Sequence, residues 1–227
     1  MMFPVFTIAN NMFAQQPATS HWFTLQSPFV INNNWQVSQE ISYRTLGESI
    51  KLNQLFIRIS NRYIINQKWH VALNTDYVHS KVRPYDKKDL EFGNEFRISQ
   101  ELGYRYTMKR SFIMSHRFRL EERFFGITTL NDDYRALRFR YRLGIIKNLS
   151  SKWDLQLTDE AFAQMLENQL SYNQNRVSFG GIFRYAANAH VEASYAFVKY
   201  SDRSQHVFSL AFQNRIILKS KKRINAG

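Results

Sequence analysis

The chain has 227 residues, 44% hydrophobic and 15% aromatic, with 31 Lys and Arg against 18 Asp and Glu and no cysteine. The missing cysteine excludes disulfides, thiol catalysis and zinc–thiolate sites, and 4 Pro and 8 Gly are too few for a disordered or low-complexity chain. No run approaches the roughly 18 continuous apolar residues of a membrane helix, and the mean hydropathy of −0.44 decides nothing by itself.

Residues 1–14 (MMFPVFTIANNMFA) are apolar and end on the small residue Ala14, which reads as the remnant of a secretory signal. Residues 15–20 lead into the first of about eleven segments in which polar and apolar residues alternate. The alternation and the turns between segments predict strands at 21–31, 34–46, 54–64, 68–79, 92–106, 112–126, 134–147, 152–162, 174–186, 189–200 and 205–218. Residues 219–227 then form a basic tail. There is no internal linker or composition shift, so 21–218 is one domain.

Short connections (32–34, 65–67, 108–110, 148–151, 187–188) alternate with longer ones, notably 81–91 and 164–172. Membrane barrels have short periplasmic turns and longer outer loops, and in bacteria an even number of strands. An eleventh segment conflicts with that rule, so the expectation is an antiparallel, up-and-down transmembrane β-barrel of ten to twelve strands. The rings of Trp35, Trp69 and Trp153 follow short turns, and Tyr104, Tyr106 and Tyr185 precede them. Amphipathic rings at one height are expected at a membrane–water interface.

The alternation is clearest in Arg117-Phe118-Arg119-Leu120-Glu121 and in Arg138-Phe139-Arg140-Tyr141-Arg142-Leu143. Side chains two residues apart share a face of a strand. Parity therefore turns Leu, Ile and Phe toward lipid and collects Glu40, Arg44, Arg58, Glu101, Arg117, Arg119, Glu121, Arg123, Arg138, Arg140, Arg142, Glu160 and Arg176 in the lumen. Isolated charges there would cost several kcal/mol each, roughly, unless guanidinium forks grip carboxylates. The pairs expected are Glu101 or Glu95 with Arg117 and Arg119, and Glu121 with Arg138 or Arg140. Arginine exceeds carboxylate, so the lumen is either a narrow anion-preferring pore or a plug of paired side chains.

A lipid-modifying membrane enzyme is the rival class, but neighbours such as Ser115-His116 and Asp159-Glu160 face opposite sides of a strand. No catalytic residue, metal ligand or cofactor is therefore assigned. A soluble periplasmic barrel binding an acidic ligand is a third reading. A pI near 10.0 suggests nucleic acid, but the arginines are spread over many strands instead of forming one patch, so no nucleic-acid partner is expected.

The arginine ladder through Arg117, Arg119, Glu121 and Arg123, then Arg138, Arg140 and Arg142, Asp159-Glu160 with Phe162, and Asn175-Arg176 with Gly180 resembles the outer-membrane barrels catalogued as domain of unknown function 2490. Trp35, Glu40 and Arg44, and later Ser194-Tyr195 and His206, also resemble that pattern, so the likeness spans about residues 21–218. It implies the outer membrane of a Gram-negative bacterium, contact with outer-membrane lipid and room for an unknown protein partner there. It implies no established activity and carries over no catalytic residue.

Overall fold

The predicted alternation is realised as a closed barrel in the computed structural model, which describes residues 18–47, 49–82, 91–109, 111–126 and 133–218. Its strands are β1 (Ala18–Val30), β2 (Trp35–Leu46), β3 (Ser49–Ile64), β4 (Trp69–Val82), β5 (Glu91–Lys109), β6 (Phe112–Phe125), β7 (Tyr134–Asn148), β8 (Trp153–Leu166), β9 (Gln169–Ala186), β10 (Ala189–Tyr200), β11 (Ser204–Asn214) and the two-residue β12 (Ile216–Ile217). From β1 to β11 each strand pairs antiparallel with the next, and β11 returns to β1, so eleven strands close the wall. The signal-like segment 1–14, the basic tail 219–227 and most of the loop 81–91 lie outside the described residues.

The count of eleven falls within the expected ten to twelve and departs from the even-number rule. An odd series of alternating strands leaves the first and last running the same way. β1 and β11 accordingly pair in parallel, from Ala18↔Gln205 to Gln26↔Gln213, and β12 resumes beside β1 at Phe29↔Ile216. Pro28, which has no amide to donate, falls in the break between those two stretches. There the amide of Arg215 donates to Asn188 instead, at 2.7 Å.

A correction concerns 164–172, expected as a long loop. β8 runs to Leu166 and β9 starts at Gln169, leaving a two-residue turn. Glu167 (φ 50°) and Asn168 (φ 63°) are both left-handed there, the twist a tight hairpin needs. Long connections therefore do not mark every turn of that rim.

The opposite rim, here the near rim, carries the β1–β2, β3–β4, β5–β6, β7–β8 and β9–β10 connections. One turn design recurs three times on it. The Asn32 side-chain oxygen accepts the Asn34 and Trp35 amides (2.9 and 2.8 Å), and Asn66 accepts those of Lys68 and Trp69 (2.9 Å each). Ser150 accepts the amides of Lys152 and Trp153 (3.2 and 3.1 Å). Each side chain thus satisfies two turn amides and sets the following tryptophan at the start of its strand.

Burial is inverted relative to a soluble sheet. Among the described residues only ten hydrophobic side chains are buried, against sixteen polar or charged ones. Large hydrophobics including Leu25, Ile59, Leu73, Leu102, Phe118, Phe139, Leu157 and Phe179 stand exposed on the outer wall.

Candidate functional site

Because parity sends every second side chain inward, arginines and carboxylates from successive strands meet in cross-strand rows. One row reads Glu40↔Arg58↔Asp76↔Arg97↔Arg123, another Ser99↔Glu121↔Arg138, and a third Glu101↔Arg119↔Arg140. Register alone therefore brings opposite charges within reach of one another.

The resulting lattice has one connected group around Glu101, Glu121 and Glu160, flanked by a Glu95 cluster and an Arg58–Asp76 pair. Glu121, fully buried, accepts from Arg138 through Nε (2.7 Å) and Nη2, and from Arg140 Nη1 at 2.5 Å. Arg140 also donates to Glu160 through Nη2 (2.8 Å) and Nε (3.0 Å), while Arg117 reaches Glu160 from β6, passing over β7, at 2.6 Å. Glu101 takes Arg119 through Nε (3.0 Å) and Nη2, and His70 lies 3.4 Å from it. Arg123 grips Glu95 (2.5 and 3.1 Å) and extends Nη1 to Gln164 at 2.7 Å. Arg58 binds Asp76 with two parallel bonds of 2.7 Å. Such forks give both energy and fixed geometry, which lysine would not.

The expected pairings of Glu101 with Arg119 and of Glu121 with Arg138 and Arg140 are present. Arg117 is nearer Glu160 (2.6 Å) than Glu101 (3.9 Å), and Glu95 pairs with Arg97 and Arg123. Three predicted lattice members bond no carboxylate among the described residues. Arg44 lies over the Trp22 ring at 4.1 Å and the Phe56 ring at 4.8 Å, and donates to Gln54 at 2.7 Å. Arg176 lies over Trp22 (4.9 Å) and Phe162 (5.4 Å), and Arg142 has no hydrogen-bond or ion-pair partner there. Glu40 faces the lumen opposite Arg58 in the register.

Sequence reasoning missed the aromatic part of this interior. Trp22, Phe56 and Phe162 point inward and stack on guanidinium groups, Phe162 also beneath Arg140 at 4.5 Å. The signal was present: Phe56 is two residues before Arg58, and Phe162 two after Glu160, so parity places them with the charges. Asp76, His70 and Gln164 complete the lattice and are on the same parity.

The aromatics assigned to one height do gather at the near rim. Trp35 packs on Tyr63 (4.9 Å), Trp69 on Tyr104 (4.5 Å) and Trp153 on Phe183 (4.6 Å), with Tyr106 5.4 Å from Tyr104. Tyr185 is exposed beside them. On the outer wall His116 meets the Tyr141 hydroxyl at 2.8 Å, while Ser115 turns inward toward the Gly144 carbonyl. Among the described residues no group of three or more His, Asp or Glu is placed to hold a metal ion.

Fold and interior together define a class: a closed, odd-stranded β-barrel with an apolar exterior and an arginine–carboxylate interior. Within that class the chain belongs to the family described as Protein of unknown function (DUF2490), whose sequence pattern matches residues 19–221. No curated protein matches it.

Proposed function

We propose that this barrel spans the outer membrane of a Gram-negative bacterium, in contact with its lipids, as a non-enzymatic structural or accessory component with a sealed lumen. The observation that carries the reading is the inverted burial: 39 large hydrophobics exposed on the described surface and a charged interior. A water-soluble monomer rarely exposes apolar patches beyond a few hundred Å², roughly; a lipid-facing wall requires them. The aromatic spacing agrees. Trp35 and Tyr43, like Trp69 and Tyr77, stand eight residues apart and exposed. At about 3.3 Å per residue and a tilt of about 40°, they are separated by about 20 Å along the membrane normal, near the roughly 25 Å apolar band of such barrels.

The sealed lumen rests on the lattice. The Glu121, Arg119 and Glu101 side chains keep 0%, 4% and 3% of their accessible surface, and such dense packing at mid-barrel supports the seal. Arginine excess favours a second reading, a narrow anion-preferring pore. Detergent extraction with heat-modifiable migration on a denaturing gel tests the membrane, and recovery from the aqueous fraction without detergent would sink it. Planar-bilayer recording separates the two lumen readings. Silence from folded, inserted protein supports the seal, and anion-selective steps that weaken with salt support the pore.

A further inference from the structure

The lumen is not uniform along its axis. Around the lattice even small side chains are shut off: Asn74, Asp76 and Ser99 are fully buried. Toward the near rim the inward Ser115, Thr158, Ser178 and Ser194 are only half-buried, although Asp154, bonded by Arg184, is closed off there on β8. A small side chain inside a barrel keeps such exposure only where open space lies beside it. Ser115↔Gly144↔Thr158↔Ser178 form one cross-strand row in which Ser115 lies over Gly144, so β6, β8 and β9 present hydroxyls to that space.

The next inward row, two residues deeper on each strand, is Arg117↔Arg142↔Glu160↔Arg176. Three guanidinium groups of this row therefore face one carboxylate of their own, Glu160, already engaged by Arg117 at 2.6 Å and Arg140 at 2.8 Å, while the inward Glu192 nearer the rim is held by Gln156. Arg142 is left with no hydrogen-bond or ion-pair partner among the described residues, and the buried Nε atoms of Arg117 and Arg176 have none either. An unpaired buried donor is costly, more so on a charged group. Guanidinium forks with hydroxyls above them match the oxygens of a phosphate group.

We propose that the near-rim half of the lumen is a blind vestibule that binds a small phosphate-type oxyanion, held by Arg142 with Arg117 and Arg176 and flanked by the hydroxyls of Thr158 and Ser178. The lattice closes the vestibule below Glu160, so the anion enters and leaves by the near rim. The site depends on the barrel interior and not on membrane insertion: a barrel that failed to insert would still bind phosphate.

Isothermal titration of the folded, detergent-solubilised full chain with inorganic phosphate, against chloride at equal ionic strength, tests this. Saturable binding at one site is expected, weakened at least about tenfold in Arg142→Gln, since a charge-assisted fork is lost. It should be unchanged in Lys152→Gln, which removes an exposed charge from a near-rim turn. Heat-modifiable migration checks that each variant is folded, and Arg142→Lys, which keeps the charge but loses the fork, replaces Arg142→Gln if that variant does not fold. Glycerol 3-phosphate should bind as inorganic phosphate does. No saturable response from folded wild type overturns the proposal. So does an equal loss in Arg142→Gln and Lys152→Gln, which would mean diffuse attraction. Response to dihexanoyl phosphatidic acid alone overturns it too, because that would place the phosphate of a lipid, not a solute, at the protein.

Discussion

Glu121 is the residue on which most of the interior converges, fully buried between Arg138 and Arg140 with Arg119 3.6 Å away. Replacing it with Gln leaves Arg138 without its anion and Arg140 with Glu160 alone. Glu121→Gln should lower stability by about 3–5 kcal/mol, the range for breaking a buried pair, read as the shift of the urea midpoint of unfolding from lipid. Glu121→Gln combined with Arg138→Met should recover part of the loss, because neighbours in one network couple by roughly 0.5–3 kcal/mol. Simple additivity would show that the two side chains do not interact. Arg140 and Arg142, two residues apart on β7, should behave differently. Arg140→Gln breaks bonds to Glu121 and Glu160, whereas Arg142→Gln breaks no hydrogen bond or ion pair among the described residues and should cost clearly less. Equal losses at the two positions would contradict the contact pattern of the lattice.

At the scale of elements, the adjacent glycines of β9 give a paired test. A methyl group on Gly180 would lie 2.7 Å from the backbone oxygen of Ala193 and 2.6 Å from the Ser194 side chain. At Gly181, on the outer face, the nearest atom is 3.9 Å away. Gly180→Ala should therefore destabilise by about 1–3 kcal/mol through overpacking, while Gly181→Ala is neutral or gains up to about 1 kcal/mol from reduced chain entropy. The β8–β9 turn gives another test: Asn168→Val, at φ 63°, should cost roughly 1–2 kcal/mol because a branched side chain resists the left-handed region. That turn also shows where sequence reasoning stopped. Strand alternation was legible because period two is a local property, and it located all eleven wall strands. The Glu167-Asn168 turn was not, since neither residue is glycine and the flanking Leu166 and Leu170 are exposed beyond the regular run. The inward Trp22, Phe56 and Phe162 were hidden differently: their parity was readable, but residue type suggested the outer face. Parallel closure of β1 on β11 left no local trace at all, because it follows from the strand count and not from any one segment.

At the scale of the whole molecule, an apolar wall around a charged interior leads to one claim about place. Alternate residues of the same strand should meet lipid and protein interior in turn. The absence of cysteine makes every engineered thiol unique, so spin-label accessibility can be read one position at a time. The most direct measurement places labels at Leu102→Cys, Phe118→Cys and Phe139→Cys on the outer wall, and at Ser178→Cys and Ser194→Cys in the near-rim vestibule, in protein reconstituted into lipid. The account predicts that the first three collide with dissolved oxygen and are shielded from a water-soluble nickel complex, while the last two are reached by the nickel complex. Ready access of the nickel complex to Leu102→Cys, Phe118→Cys and Phe139→Cys would contradict it.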